Sequence, residues 1–394
     1  MQLAHPHPHK GSAPFHTPHH SAHPLQTLIS FIRRNTVLCI AILAAALTSI
    51  LVPPDVTYLS YFDGKTLCCL FCTLAVICAL KNIRFFRILA HRIVRIAGNT
   101  RSALMLLIVI TFVGSMLIAN DMALLTFLPL GYYILTSTGK ERLMAYTFIL
   151  QNIAANLGGM LTPFGNPQNL YLYSHFSIPT GEFMSIMLLP FLLAVLLMLA
   201  CCLLVKNEPL SLRDELDERL PRGRTALYLA LFAFSIALVF RIIPWYWLGL
   251  IIIPAVLLFA DRDALKKVDY PLLLTFVCFF IFAGNMGRIP LVREFFSSLL
   301  SHSVLLVSAL SCQVISNVPS AILLSQFTDN YRELLLGVNI GGTGTLIASL
   351  ASLITFREFT SHQKEKTGRY IALFSLMNFA FLGILAVVCL LFVV

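Results

Sequence analysis

Two strings of Asn, Gly, Thr and Pro interrupt an otherwise apolar chain, and the two read alike. The first runs Ala119-Asn120-Asp121 and, further on, Asn156-Leu-Gly-Gly-Met-Leu-Thr162-Pro-Phe-Gly165-Asn166-Pro167-Gln168-Asn169. The second runs Ser316-Asn317-Val-Pro319 and then Asn339-Ile-Gly-Gly-Thr343-Gly-Thr345-Leu-Ile-Ala348-Ser349-Leu-Ala-Ser352. In a bilayer every backbone polar group must be paired unless it faces protein or a cavity. Irregular polar segments at matching places in two halves therefore predict a secondary transporter with its site at helix breaks.

Hydrophobic residues make up 58% of the chain and charged residues 12%, against about 45–50% and about 25% in soluble domains. Several runs reach the roughly 20 apolar residues that a crossing needs. The pattern predicts an all-α polytopic membrane protein: two inverted-topology repeats with re-entrant hairpins and broken transmembrane helices. Spans are expected at 37–52, 58–80, 141–175 (broken), 183–205, 225–240, 243–260, 269–287, 331–355 (broken) and 371–393. Segments 103–137 and 303–329 carry their polar residues at the middle and read as hairpins that return to the side they left. The N-terminus is polar and lacks the apolar core of a cleavable signal peptide.

The formal charge of +10 does not argue for nucleic acid. With the N-terminus inside, every Lys and Arg except Lys65, Arg241, Arg288, Arg293 and Arg332 falls on the inner side. That is the positive-inside bias, so the charge reports topology, with a cytoplasmic N-terminus.

The halves align. "FDGKTLCCLFCTLAVICALKNIRFF" lies over "VDYPLLLTFVCFFIFAGNMGRIPLV", with Asp63 over Asp269 and Asn120 near Asn317. Residues 1–35 read as a His/Pro-rich disordered tail and 36–205 as the first repeat, its hairpin opening inward. Residues 206–242 read as an inner linker and a spare helix, and 243–394 as the second repeat, its hairpin opening outward. The inversion needs 225–260 to cross twice; a single helix interrupted at Arg241 and Pro244 would defeat it. Segment 81–101 is basic and amphipathic, which suits a helix in the inner interface.

A transported ion must shed water near the midplane. Carbonyls at a helix break can coordinate a cation, and helix N-termini can hold an anion. The first pocket is expected from Asn120, Asp121, Thr162, Gly165, Asn166 and Asn169. The second is expected from Ser316, Asn317, Thr343, Thr345, Ala348 and Ser349. Pro163 and Pro167 enforce the first break, since each lacks an N–H and Pro163 disfavours helix at Thr162. Small polar residues also mediate helix packing, so each residue taken singly has that second reading. Asp121 is the one acid expected deep in the bilayer; it would ligate Na⁺, exchange a proton, or stay neutral and structural.

Cys68, Cys69 and Cys72 share a helix region and could hold a metal, but small apolar packing residues are the better reading. The tail holds His5, His7, His9, His16, His19, His20 and His23 between prolines; disorder fits it better than metal binding. A water-channel reading of Asn166-Pro167 and Asn317-Val-Pro319 and a membrane-embedded enzyme are weaker alternatives. No paired intramembrane Asp and no HExxH string is present.

The strings "ANDMALLTFLPL", "GGMLTPFGNPQNLYLY", "SNVPSAILLS" and "NIGGTGTLIASLASLI" resemble the ion transporter superfamily, nearest to a short citrate-transporter-like anion permease subgroup, across about residues 37–394. The resemblance implies a homodimer in a bacterial inner membrane, a scaffold and a moving transport domain in each protomer, and an elevator-like slide. It also implies a sodium site at each hairpin tip with its facing break, here Asn120, Asp121 and Gly165, and Asn317 with Ala348. The family's Ser-Asn-Thr tip motif falls on Ala119-Asn120-Asp121 and Ser316-Asn317-Val318. Asn survives in both, but the Thr that would meet a carboxylate substrate does not. The expectation is a carrier of a small inorganic or organic anion coupled to Na⁺ or H⁺, with no other cofactor. A Na⁺/H⁺ antiporter or an arsenite-type efflux permease is the alternative.

Overall fold

The computed structural model describes Ile32 and residues 35–94, 96–209 and 220–393. The His-rich tail and most of the charged linker lie outside the described residues. Within them the protein is all-helical and no strand forms. Six helices are long and apolar enough to cross a membrane, or seven if one bent pair is counted as a span.

The first half opens with α1 (Thr36–Leu51) and α2 (Gly64–Asn82), joined through a 3₁₀ turn at Val56–Tyr61. That turn takes up the start of the span expected from residue 58. A short amphipathic α3 (Phe85–Val94) follows, then α4 (Thr100–Ile118) and α5 (Asn120–Ser137), which pack on each other across a break at Ala119. Helices α6 (Met144–Gly158) and α7 (Pro167–His175) flank the Pro-rich break, and α8 (Thr180–Leu203) closes the half. After α9 (Arg222–Val239) the order recurs. Helices α10 (Trp247–Ala260), a short α11 (Arg262–Lys266) and α12 (Tyr270–Arg288) lead to the amphipathic α13 (Pro290–Leu300). Then come the pair α14 (Val304–Ile315) and α15 (Asn317–Leu324), the broken pair α16 (Tyr331–Ile340) and α17 (Leu350–His362), and α18 (Thr367–Phe392).

Helix starts follow local chemistry. Asp63 accepts the Thr66 N–H at 2.9 Å and Asp269 the Leu272 N–H at 3.0 Å, so the two aligned aspartates cap corresponding helices. Each satisfies a donor that the helix itself leaves orphaned.

The 225–260 region forms two helices. Arg241 turns the chain with φ +60. Tyr228, early in α9, donates to Asp261 just past α10, while Leu238, late in α9, packs at Gly249 near the start of α10. The two helices are therefore antiparallel. Helix α10 runs beside α2 in the same direction: Cys68 Sγ donates to Tyr246 O at 3.0 Å at one end, and Asn82 donates to Asp261 at the other. Cys72 packs against Gly249, so these cysteines sit in a helix–helix seam. Helix α1 packs along α12, and Asn285 donates to Thr48 and Ser49 where their C-terminal turns meet. At the foot of α4 the chain is pinned: Thr100 N–H donates to Glu208 O at 2.9 Å, and the Glu208 carboxylate takes Lys140 and Arg142.

Candidate functional site

Both hairpin tips adopt one unusual backbone. Ala119 sits at φ 63, ψ 151 and Ser316 at φ 74, ψ 159. This region is essentially reserved for glycine and costs of order 1–3 kcal/mol for other residues. Each strained residue is followed by an Asn whose Oδ1 accepts the next backbone N–H: Asp121 N–H to Asn120 and Val318 N–H to Asn317, both at 2.9 Å. The Asn thus caps the outgoing helix from within its first turn, where the strained residue offers no side-chain cap.

The breaks repeat each other as well. Thr162 Oγ1 donates to Met116 O at 2.9 Å, and Thr345 Oγ1 to Gln313 O at 3.0 Å, each three residues ahead of the strained residue of its tip. A Cβ on Gly158 would lie 2.3 Å from Phe112 O; one on Gly341 would lie 2.8 Å from Ala309 Cα and 3.0 Å from Ala309 O. Only glycine allows the broken helix to lie this close to the incoming hairpin arm. Asn166 and Ser349 then stand as N-cap residues of α7 and α17.

A buried knot of asparagines ties the halves together. Asn120 Nδ2 donates to Asn156 Oδ1 at 3.2 Å. Asn166 Nδ2 donates to Asn156 O and to Asn339 Oδ1, and Asn339 Nδ2 donates to Asn169 Oδ1 at 2.6 Å. Asn169 Nδ2 reaches Gly159 O at 3.1 Å and Met160 O at 3.3 Å. Asn317 enters from the other tip, where its Nδ2 lies 3.1 Å from the place a Cβ on Gly342 would occupy. Asn156 and Asn339 open the two motifs but were not among the expected site residues. Further out, Asn152, Thr355 and Asn378 extend the polar chain among α6, α17 and α18. Gln313 was missed too; its Nε2 donates to Gly341 O and Thr343 O. An amide standing among apolar residues was the available signal.

Other expected residues are satisfied locally. Gly165 N–H bonds Thr162 O, Thr343 Oγ1 donates to Ile340 O at 2.6 Å, and Ser349 Oγ accepts the Ser352 N–H. Ala348 O, expected as a cation ligand, already accepts the Asn317 N–H at 3.0 Å and Ser316 Oγ at 3.3 Å.

Both tips open on one cavity of about 880 Å³, lined by Asn120, Asp121, Ser316 and Asn317 among the expected residues, with Gln168, Thr275 and apolar side chains of α1, α12 and α13. Asp121 is the ionisable side chain of that lining. Thr162, Gly165, Asn166, Asn169, Thr343, Thr345, Ala348 and Ser349 lie behind it, in the breaks. Three acceptor oxygens here are buried without a donor: Asp121 Oδ1, Asn166 Oδ1 and Gln168 Oε1. Buried polar atoms without partners are uncommon and call for a physical cause.

The sequence model of the citrate transporter family matches residues 26–330. The chain is 30% identical over 326 residues to the uncharacterized transporter MJ0456 of Methanocaldococcus jannaschii, covering 82% of this chain and 88% of the relative. It is 31% identical over 281 residues to the inner membrane protein YbiR of Escherichia coli, covering 69% and 74%.

Proposed function

The chain belongs to the citrate transporter family and is a multi-pass membrane transporter; from that premise we propose that it is a secondary active carrier of a small anion, driven by Na⁺ or H⁺. The observation that carries this reading is the trio of donorless buried oxygens at the first tip and break, beside a cavity shared with the second tip. Acceptors without donors suit a desolvated cation or a proton, and an anion placed near Asp121 needs one of these to offset like-charge repulsion. The unstrained alternative for that carboxylate, a Lys or Arg partner, is not among the residues lining the cavity.

The two halves are proposed to be inverted. Support comes from α2 running alongside α10 in one direction and from α1 running alongside α12. Four crossings in the first half and one spare helix make five, an odd number, which produces that arrangement. Alternating access then swings or slides the tips and breaks against α1, α2, α10 and α12. The elevator form of that motion and a homodimer are taken from the family resemblance.

Uptake of radiolabelled citrate, succinate, phosphate and arsenite into proteoliposomes tests the proposal. Flux of one anion that rises with an inward Na⁺ or H⁺ gradient is expected. Absence of gradient-dependent flux across the panel rejects it. Proton exchange or metalloid efflux is the second reading, favoured by the lone Asp121. Asp121→Asn is expected to abolish the pH dependence of transport; a variant that keeps it leaves the exchanger reading without an acid.

A further inference from the structure

A second cavity, of about 510 Å³, lies between α3 and α5, away from the tips. Among the described residues that line it, the charge is of one sign. Lys81, Arg84 and Arg87 line it with exposed side chains, and His91 lies buried within it, its ring 6.4 Å from that of Tyr133. Among the described residues no carboxylate pairs with Lys81 or Arg87. The opposite wall is different in kind: α5 presents apolar side chains around Pro129 and Tyr133. The arrangement is local in origin. Lys81 ends α2, Arg84 turns the corner at φ 57 with its N–H on Lys81 O, and Arg87 follows within the first turn of α3. Phe86 lies buried on the cavity wall, while Ile88 and Ala90, which do not line it, are buried in the protein.

We propose that this cavity holds the phosphate of an anionic phospholipid, with an acyl chain laid along the α5 wall. A free phosphate ion would use the basic rim and leave the apolar wall unused; an amphiphile uses both. Basic side chains beside a membrane span attract anionic headgroups in just this way, and their attraction is screened by salt. Bound there, the lipid joins the corner between α2 and α3 to the outgoing arm of the first hairpin, so it holds that arm against its support. The site is independent of which ion or anion the carrier moves.

The test uses the full chain purified in detergent. Phosphatidylglycerol is expected to raise its thermal midpoint, as any ligand of the folded state does, and phosphatidylcholine is not. The rise shrinks as salt is added. The double variant Lys81→Gln/Arg87→Gln weakens phosphatidylglycerol retention in native mass spectrometry on the order of thirtyfold, equivalent to about 1 kcal/mol per basic side chain. Its lipid-free midpoint equals that of the parent, because both side chains are exposed. Equal stabilisation by phosphatidylcholine, or insensitivity to salt in the unaltered chain, overturns the proposal. So does undiminished lipid retention in the double variant. Equal protection by glycerol 3-phosphate assigns the cavity to a soluble phosphate and overturns the lipid.

Discussion

The two hairpin tips share a backbone and differ in chemistry. Both place a non-glycine residue at positive φ, cap the next helix with an Asn, and lean a broken helix on the hairpin through a glycine contact. Yet the residue after the Asn is Asp121 in one and Val318 in the other, and the orphaned acceptors collect at the first. At the second, the backbone carbonyl of Ala348 is taken by the tip's own N–H and hydroxyl. The lesson is that Asn, Gly and Thr build the same frame in both halves, and the position after the Asn is where their chemistry diverges. Both tips line the same cavity, one bringing a carboxylate to it and the other an apolar side chain.

The comparison can be broken first at the glycines. Gly158→Val and Gly341→Val are each expected to destabilise the protein by about 3 kcal/mol or more through overpacking, seen as a lowered thermal midpoint in detergent. Gly158 should be the worse, since its Cβ would meet a backbone oxygen at 2.3 Å. A harmless Gly341→Val would mean that the close approach matters in the first half alone.

Asn120→Ala and Asn317→Ala come next. Each strips the acceptor from a backbone N–H in the interior, a loss of about 1–3 kcal/mol. Asn120→Ala should cost more, because it also deprives Asn156 Oδ1 of its donor. Equal losses in chemical or thermal unfolding would show that the asparagine knot adds nothing to the capping role.

Relieving the strain should work in the opposite direction. Ala119→Gly is expected to raise stability by about 1 kcal/mol, since glycine accepts this φ and ψ without a Cβ penalty. Ser316→Gly should gain less, because the Ser316 hydroxyl also bonds Ala348 O at 3.3 Å. A fall in stability for Ala119→Gly would show that the tip is held by its side chain and not merely tolerated.

The smallest effect is electrostatic and lies outside the membrane. Hydrogen bonds from Lys140 and then Arg142 hold the Glu208 carboxyl below its usual range, and Arg288 does the same for Asp55. A carboxyl depressed in the folded state contributes stability above its unfolded pKa and loses it as pH falls through the folded value. The thermal midpoint should therefore hold at neutral pH and decline as pH falls through the ordinary carboxylate range toward the depressed folded values. Glu208→Gln should flatten the part due to the foot of the first hairpin, while the Asp55 part remains.

Much of the architecture was legible in the residues. Apolar runs located the spans, Pro163 and Pro167 located a break, and Asp63 and Asp269 aligned the halves before their shared capping role was visible. These signals are local: a crossing length, a missing N–H, a capping carboxylate act within one turn of chain. Which amide bonds which could not be read this way. Asn339 meets Asn169 and Asn166, and Gln313 bridges to Gly341 and Thr343, because distant segments converge. An isolated Asn in an apolar run says that a partner must exist and nothing about where it comes from.

By itself, the sequence determined that this chain crosses a membrane, that two helices break, and that an Asn stands at each tip. Tertiary structure alone decided that the tips share one cavity, that Ala348 O is occupied, and that Asp121, Asn166 and Gln168 keep unpaired oxygens. The reason is that burial and steric demands are written residue by residue along the chain. Hydrogen-bond satisfaction at low dielectric depends instead on every neighbour that folding delivers.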